Sequence, residues 1–175
     1  AVERIGVAAG AELVATVGRL DVASGAPNVV PGDVRFTVDV RSPSDVARAD
    51  ALARIKAEIA RISERRRVTA AAEVYYDMPA TPMDPRIVDA VANAIAECGH
   101  QPARLASGAG HDAMAIAPRW PAGMLFVRCR DGISHNPAEE ITAADAGSAV
   151  VALMATIRHL DQALTDGPWD GIASD

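Results

Sequence analysis

The chain has 175 residues, half of them apolar, with a formal net charge of −6. This length allows one ordinary domain or two small ones. The acidic balance and the lack of a clustered basic stripe argue against nucleic-acid binding. No apolar run approaches the roughly 20 residues of a membrane-spanning helix, and no signal peptide is visible. The spacing of Cys98 and Cys129 is not that of a metal site and predicts reduced thiols in a cytoplasmic protein.

The first half of the chain predicts part of an α+β domain. Residues 13–22 predict a strand, and residues 34–40 alternate between apolar and polar positions, as a half-buried second strand does. Residues 42–45 predict a helix start with Ser42 as the cap and a proline in the first turn, and residues 68–76 predict a third strand. This order matches the later part of a ferredoxin-like unit. Residues 1–9 then correspond to the tail of an earlier helix, and we expect the chain to begin partway through a domain.

A proline-punctuated connection at residues 77–82 is the best candidate for a domain boundary. The part beyond it predicts an α/β segment with too few strands for a complete sheet, and the tail after Asp166 is expected to be disordered. The predicted elements are a helix from Asp84, a strand at 103–106, a short helix to Ala117, a strand at 123–127 and a last helix from Thr142.

The loop from Asp131 to Glu140 lies between a predicted strand and a predicted helix, where α/β proteins collect functional groups. His135 lies in this loop, with Ser134 and Asn136 beside it. An imidazole that is oriented by neighbouring groups is the form in which histidine binds metal. The alternative is a polar surface loop in which His135 is only solvated.

A second loop, residues 107–112, has the sequence SGAGHD and joins a strand to a helix. Its glycines would let a substrate approach backbone N–H groups, although the loop lacks the features of a P-loop or a dinucleotide-binding fingerprint. The alternative is a tight turn in which His111 is a polar cap. His111 and His135 follow consecutive predicted strands and could face one site. A catalytic zinc needs three protein ligands, so most of any metal site must come from elsewhere, since His100 and His159 read as a helix end and a solvated helix face.

Asn28 and Arg41 bracket the second predicted strand and its entry loop. Both could therefore meet a ligand that lies over the polar face of that strand. An arginine fork beside an amide donor suits a carboxylate.

Four motifs follow one another along the chain: PNVVPG at 27–32, FTVDVRS at 36–42, SGAGHDA at 107–113 and GISHNPAE at 132–139. Together they resemble the family of allantoate amidohydrolases, N-carbamoyl-L-amino-acid hydrolases and β-ureidopropionases, which is related to the di-zinc aminopeptidases. The sequence of the last motif is most similar to that of allantoate amidohydrolase, an enzyme of purine catabolism.

The resemblance implies an α/β catalytic domain that is interrupted by a ferredoxin-like lid, through which the protein forms a homodimer. Residues 1–80 would be a partial lid, and residues 81–175 the C-terminal segment of the catalytic domain. It also implies two divalent ions, Zn or Mn, in the complete enzyme, with His135 as the one metal ligand in this chain. The other ligands, the general-base glutamate and a lid histidine would lie outside it.

The resemblance further implies residues that contact the substrate. Asn28 and Arg41 would bind the substrate carboxylate, reaching across the dimer, and the backbone of Gly108, Ala109 and above all Gly110 would contact the substrate. We expect His111 and Asp112 to lie in the neighbouring shell.

The function expected on these grounds is metal-dependent hydrolysis of a C–N bond in a small ureido acid, such as allantoate or an N-carbamoyl-L-amino acid. The chain by itself is expected to be inactive, because one histidine cannot hold a catalytic metal. The alternative is a non-catalytic module, left by truncation, that dimerises and binds carboxylates through Asn28 and Arg41.

Overall fold

The structure is a computed structural model that describes residues 1–23 and 25–166. The chain divides into two units, the first from Ala1 to Ala80 and the second from Thr81 onward. None of the helices in the described ranges is long and apolar enough to cross a lipid bilayer. The expected disordered tail beyond Asp166 lies outside the described residues.

The first unit is a two-stranded antiparallel sheet with two helices, and the first two of its three predicted strands are confirmed. The register pairs Ala23 with Asp33 at one end of the sheet and Val14 with Arg41 at the other, with an irregularity between Val17 and Leu20. The elements are α1 (Val2–Ala9), β1 (Val14–Ala23), β2 (Asp33–Arg41) and α2 (Asp45–Arg66).

The core of the first unit lies under only half of the sheet. Its buried members are Ile5, Leu13, Ala51 and Ile55, against which Val38, Val40 and Ile59 are packed. The same sheet face continues past the core as a distal apolar face, whose side chains are 43–63% exposed. Since apolar area of this kind is costly to leave in water, this end of the hairpin is a candidate contact surface. The distal apolar face consists of Leu20, Val22, Val34 and Phe36.

The start of α2 differs by two residues from the prediction. Ser44, rather than Ser42, is the N-cap, and its Oγ accepts the N–H of Ala47 at 3.3 Å. Ser42 Oγ instead accepts the N–H of Ser44 at 3.1 Å. The residue before a proline is biased toward extended backbone, so the helix begins only after Pro43 and Ser44.

The predicted strands at 68–76, 103–106 and 123–127 are wrong as hydrogen-bonded elements, because β1 and β2 are the only paired strands in the described part of the chain. A strand needs the N–H and C=O groups of a neighbour, and an apolar or β-branched run without that neighbour stays irregular.

The second unit is built around two packed helices, whose contact is made by small side chains. The buried residues on the two sides are Ala90 and Ala94 on one helix, and Ala152, Ala155 and Thr156 on the other. The elements are α3 (Pro85–Glu97), α4 (Ala113–Ile116), a 3₁₀ turn (Arg130–Gly132) and α5 (Ala143–Asp166).

Side-chain hydrogen bonds fix where α3 and α5 begin, and an ion pair connects the two helices. Asp84 Oδ1 accepts the N–H of Arg86 at 2.9 Å, as predicted for the N-cap of α3. At the start of α5, Thr142 Oγ1 accepts the N–H of Asp145 at 3.0 Å, which confirms the predicted cap. His159, which was expected on a solvated helix face, has a side chain that is 30% exposed, and its Nε2 lies 3.0 Å from a Glu97 carboxylate oxygen, which joins α5 to α3.

Candidate active-site elements

His135 has a left-handed backbone conformation, with φ of 57°. Asp131 and Gly132 in the same loop also have positive φ, at 54° and 69°. This conformation is uncommon for a residue with a Cβ and costs about 1 kcal/mol or more, so the surrounding contacts must hold it. The side chain of His135 is exposed.

Both the ring and the backbone of His135 are held by neighbours in the loop. Nδ1 lies 2.9 Å from Ser134 Oγ, and the backbone N–H donates to Glu139 Oε2 at 2.9 Å. When Nδ1 carries the proton and donates to Ser134, the lone pair of Nε2 faces away from that contact. This arrangement is the one in which an imidazole serves as a metal ligand.

The base of the loop is closed by an ion pair and a backbone hydrogen bond between the same two residues. Arg130 N donates to the carbonyl of Glu140 at 2.8 Å, and Arg130 Nη1 lies 2.6 Å from Glu140 Oε2. Within the loop, Asn136 Oδ1 accepts the N–H of Ala138 at 2.9 Å. The loop is therefore a built structure with its own hydrogen bonds.

The donor set fits one ligand of a metal site and no more. Over the described ranges there is no group of three or more His, Cys, Asp or Glu side chains placed to hold a metal ion. A neutral imidazole suits zinc and other divalent transition metals. His135 can supply one such nitrogen, and any further ligands would have to come from other residues.

The SGAGHD loop is fixed by a contact that the sequence did not reveal. Ser107 Oγ lies 2.7 Å from Nε2 of His111 and also accepts the N–H of Ala109 at 3.1 Å. The His111 ring meets Phe126 edge-on, with ring centroids 5.8 Å apart. Gly110 is exposed and carries no neighbour where a Cβ would lie, so its backbone is open to a ligand on that side.

Asp112 caps α4 through its backbone rather than through its side chain. Its carbonyl accepts the N–H of Ala115 at 2.9 Å, and no side-chain hydrogen bond to the helix is formed. Neither His111 nor Asp112 is hydrogen-bonded to His135 in the described part of the chain. Their expected role in a neighbouring shell stays a prediction.

Arg41 stands at the end of β2 and is fixed by a carboxylate on the same strand. Its Nε and Nη2 donate to the two oxygens of Asp39 at 2.7 and 2.9 Å. Hydrogen bonding to Asp39 raises the pKa of Arg41, and hydrogen bonding to Arg41 lowers the pKa of the Asp39 carboxyl. The i, i+2 spacing puts both side chains on one strand face, which was the available signal for this pair.

Asn28 and Arg41 are separated by the hairpin that carries them. Asn28 lies in the exposed turn between β1 and β2, next to the Ala26–Val29 bridge, and this turn leaves the sheet at the Asp33 end. Arg41 is at the other end of β2, about 27 Å along a nine-residue strand. The structure therefore does not bring these two predicted ligands together over one strand face of a single chain.

The chain belongs to Peptidase family M20/M25/M40, which residues 3–159 match. It is 39% identical over 150 residues to an allantoate deiminase from Arabidopsis thaliana, a match that covers 81% of this chain and 29% of the relative. It is 41% identical over 127 residues to an N-carbamoyl-L-amino-acid amidohydrolase from Rhizobium meliloti, covering 72% of this chain and 30% of the relative. The chain thus spans about a third of the length of these curated relatives.

Solved structures give the same grouping. An amidase of the hydantoinase/carbamoylase family from Burkholderia multivorans matches with a TM-score of 0.84 and 37% identity, over 90% of this chain and 39% of that one. A crystal structure of AtUAH in complex with glyoxylate matches with a TM-score of 0.80 and 26% identity, over 92% of this chain and 38% of that one. These neighbours confirm the predicted α/β fold class, whereas the assignment of the two units to a lid and a catalytic segment stays a prediction.

Proposed function

We propose that this chain is part of a metal-dependent amidohydrolase that cleaves a linear C–N bond in a small ureido acid. Allantoate and N-carbamoyl-L-amino acids are the substrate classes that we propose, because they are the ones named in the relatives at 39% and 41% identity. The observation that carries the proposal is the held imidazole of His135, whose Nδ1 is bound by Ser134 and whose backbone is bound by Glu139.

In this proposal His135 supplies one of the ligands of a site for two divalent ions, either Zn or Mn. A bound ion of this kind polarises a carbonyl and lowers the pKa of water, which is the chemistry that C–N hydrolysis needs. The contribution of this chain is to hold the imidazole in one orientation. Ser134 fixes the ring, and the loop closed by Arg130 and Glu140 fixes the backbone.

Arg41 and Asn28 are proposed to bind the carboxylate of the substrate. The Asp39 pair holds the Arg41 guanidinium in one plane, which reduces the entropy lost when a carboxylate binds. Since Asn28 and Arg41 lie at opposite ends of one hairpin, their separation supports a site that is completed by a second copy of the chain. The distal apolar face is proposed to lie in the contact of this homodimer.

The backbone of residues 108–110 is proposed to contact the ureido group. Gly110 has no Cβ, and the adjoining Ser107–His111 hydrogen bond keeps the loop in one conformation. The two cysteines are both free, which fits the proposed cytoplasmic location.

The 175-residue chain alone is proposed to be inactive, since His135 is its one proposed metal ligand within residues 1–23 and 25–166. The rival function is a carboxylate-binding dimerisation module without metal, and the distal apolar face and Arg41 would serve that function equally well. Metal binding at His135 separates the two, because only the hydrolase needs it.

A hybrid enzyme tests the proposal. This chain would replace the matching third of the Rhizobium meliloti N-carbamoyl-L-amino-acid amidohydrolase, and ammonia release from an N-carbamoyl-L-amino acid and from allantoate would be measured with added Zn or Mn. We expect activity in the hybrid, none in the 175-residue chain, and none in the hybrid with His135→Ala. A folded hybrid with unchanged activity after His135→Ala would refute the proposed role of this residue, and activity in the 175-residue chain would refute its proposed inactivity.

A further inference from the structure

We propose that Glu139 is the positioning residue for His135, holding the imidazole in the orientation in which it can take a metal. This inference rests on the proposed metal site. The observation behind it is a hydrogen bond to the backbone of His135 rather than to its ring. Glu139 Oε2 accepts the His135 N–H at 2.9 Å.

The reason for such a contact lies in the backbone of His135. Its φ of 57° is disfavoured for a residue with a Cβ, and the chain would relax to a negative φ if nothing opposed it. A change in the sign of φ redirects the Cα–Cβ bond, and with it the whole ring. A charged acceptor on the N–H stabilises the left-handed state, because hydrogen bonds to a carboxylate are stronger than those to neutral groups.

Glu139 is itself held in place, so its carboxylate can act as a fixed point. Its backbone N–H donates to the carbonyl of Asn136 at 2.8 Å, in a turn that the Asn136 side chain also closes through Ala138. Its other carboxylate oxygen, Oε1, lies 3.9 Å from Cys129 Sγ. One oxygen therefore faces the thiol before the loop, and the other faces the backbone of His135.

Glu140 provides the matched comparison, because it is the neighbouring glutamate and makes different contacts. It pairs with Arg130 at the base of the loop, with 2.6 Å between Arg130 Nη1 and Glu140 Oε2. The contacts of Glu140 close the loop and do not reach His135. If the conformation of His135 depended only on a negative charge nearby or on the closed base of the loop, substitution of either glutamate would have the same effect.

The experiment compares Glu139→Gln, Glu139→Ala and Glu140→Gln in the ¹⁵N-labelled 175-residue chain by NMR. Two properties of His135 are measured: the φ-sensitive coupling of its amide, and the change in its ring signals on titration with Zn²⁺ alone. Dispersed signals from α3 and α5 show that a variant is folded.

We expect Glu139→Ala to lose the left-handed coupling and to weaken the Zn²⁺ response of the ring about tenfold or more, as the loss of an outer partner does at metal sites. Glu139→Gln keeps an acceptor for the N–H and should restore most of both, with the amide signal shifted upfield because the neutral acceptor is weaker. Glu140→Gln should leave both unchanged.

The proposal is overturned if folded Glu139→Ala keeps the wild-type coupling and Zn²⁺ response, or if Glu140→Gln loses as much as Glu139→Ala. The response of the ring to Zn²⁺ is a result separate from the effect of Glu139 on the backbone of His135. A wild-type ring that does not respond to Zn²⁺, with the coupling still lost in Glu139→Ala, supports the hold on the backbone, and the His135→Ala hybrid then decides whether His135 is a metal ligand.

Discussion

Ser107 and His111 are joined by a hydrogen bond of 2.7 Å between the serine Oγ and the imidazole Nε2. The same oxygen accepts the N–H of Ala109 at 3.1 Å. One hydroxyl thus links the histidine to the backbone of the glycine loop. The proposed substrate contact at Gly110 lies between these two anchored positions.

The first prediction concerns this link. Ser107→Ala should lower the free energy of unfolding by about 1 kcal/mol, since a typical intramolecular hydrogen bond contributes that much. His111→Phe keeps an aromatic edge against Phe126 but removes the ring nitrogen. In urea unfolding, the double variant should lose less than the sum of the two single losses. Strict additivity would show that the two side chains do not cooperate.

The second prediction concerns Arg41. In the hybrid enzyme, Arg41→Lys should raise KM and lower kcat/KM roughly tenfold or more, because lysine cannot reproduce a planar fork toward a carboxylate. Arg35→Lys is the matched control, since Arg35 lies on the same strand, six residues away, with a side chain that is 85% exposed. Equal effects of the two substitutions on kcat/KM would remove Arg41 from the proposed carboxylate site.

The third prediction concerns stability in acid. A hydrogen bond from Arg61 lowers the pKa of Glu58 from 4.5 to about 2. Because the folded pKa is the lower one, this stabilisation is complete above pH 4.5 and is lost as the pH falls from 4.5 toward 2. The melting temperature of Glu58→Gln should therefore fall less steeply than that of the wild type across this window.

Arg61→Met tests the cause of the Glu58 shift. It removes the donor while keeping an unbranched side chain, so the pKa of Glu58 should return toward its ordinary value. Its melting temperature should follow the Glu58→Gln profile. A wild-type profile for both variants would rule out this pair as a source of acid sensitivity.

The fourth prediction concerns Gly123 and Ile87. A Cβ on Gly123 would lie 2.4 Å from Ile87 Cγ2, which is closer than two carbons can approach. The branch at Cβ makes Ile87 stiff, so the clash cannot be relieved by a simple rotation. Gly123→Ala should destabilise the protein by about 1–3 kcal/mol.

The double variant Gly123→Ala with Ile87→Ala checks this explanation. It removes the clashing methyl group, so in urea unfolding it should be less destabilised than the sum of its two single variants. Gly147→Ala, where nothing lies within 4 Å of the added Cβ, is the control and should cause no loss. A Gly123→Ala variant as stable as the wild type would contradict the predicted contact.

Local rules explain which elements the sequence predicted well. The strict alternation from Val34 to Val40 and the Asp84–Pro85 start of α3 depend on neighbours within a few residues, and both are present. The strand at 68–76 was predicted from the same kind of pattern but has no partner strand among the residues that the structure describes. Its residues have β propensity, yet pairing is a contact with distant backbone that no local pattern encodes.

The candidate site shows the same division. The residue types in the two loops pointed to His135 and His111 from the sequence alone. The Glu139 contact with the His135 backbone, by contrast, depends on a left-handed turn that spacing does not predict. The expectation that Asn28 and Arg41 could meet one ligand over a strand face did not take account of the hairpin register, which places the two residues at opposite ends.

The sequence by itself determined the family of the chain, through the resemblance of four motifs. It also determined the helices, the hairpin strands and the residues with reactive side chains, because these depend on residue type and short-range periodicity. The tertiary structure decided which of these groups meet: Ser107 with His111, Glu139 with the backbone of His135, and Arg41 with Asp39, which its spacing allowed, rather than with Asn28. The physical reason is that a hydrogen bond needs its two atoms within about 3 Å. Only the folded path of the backbone sets that distance.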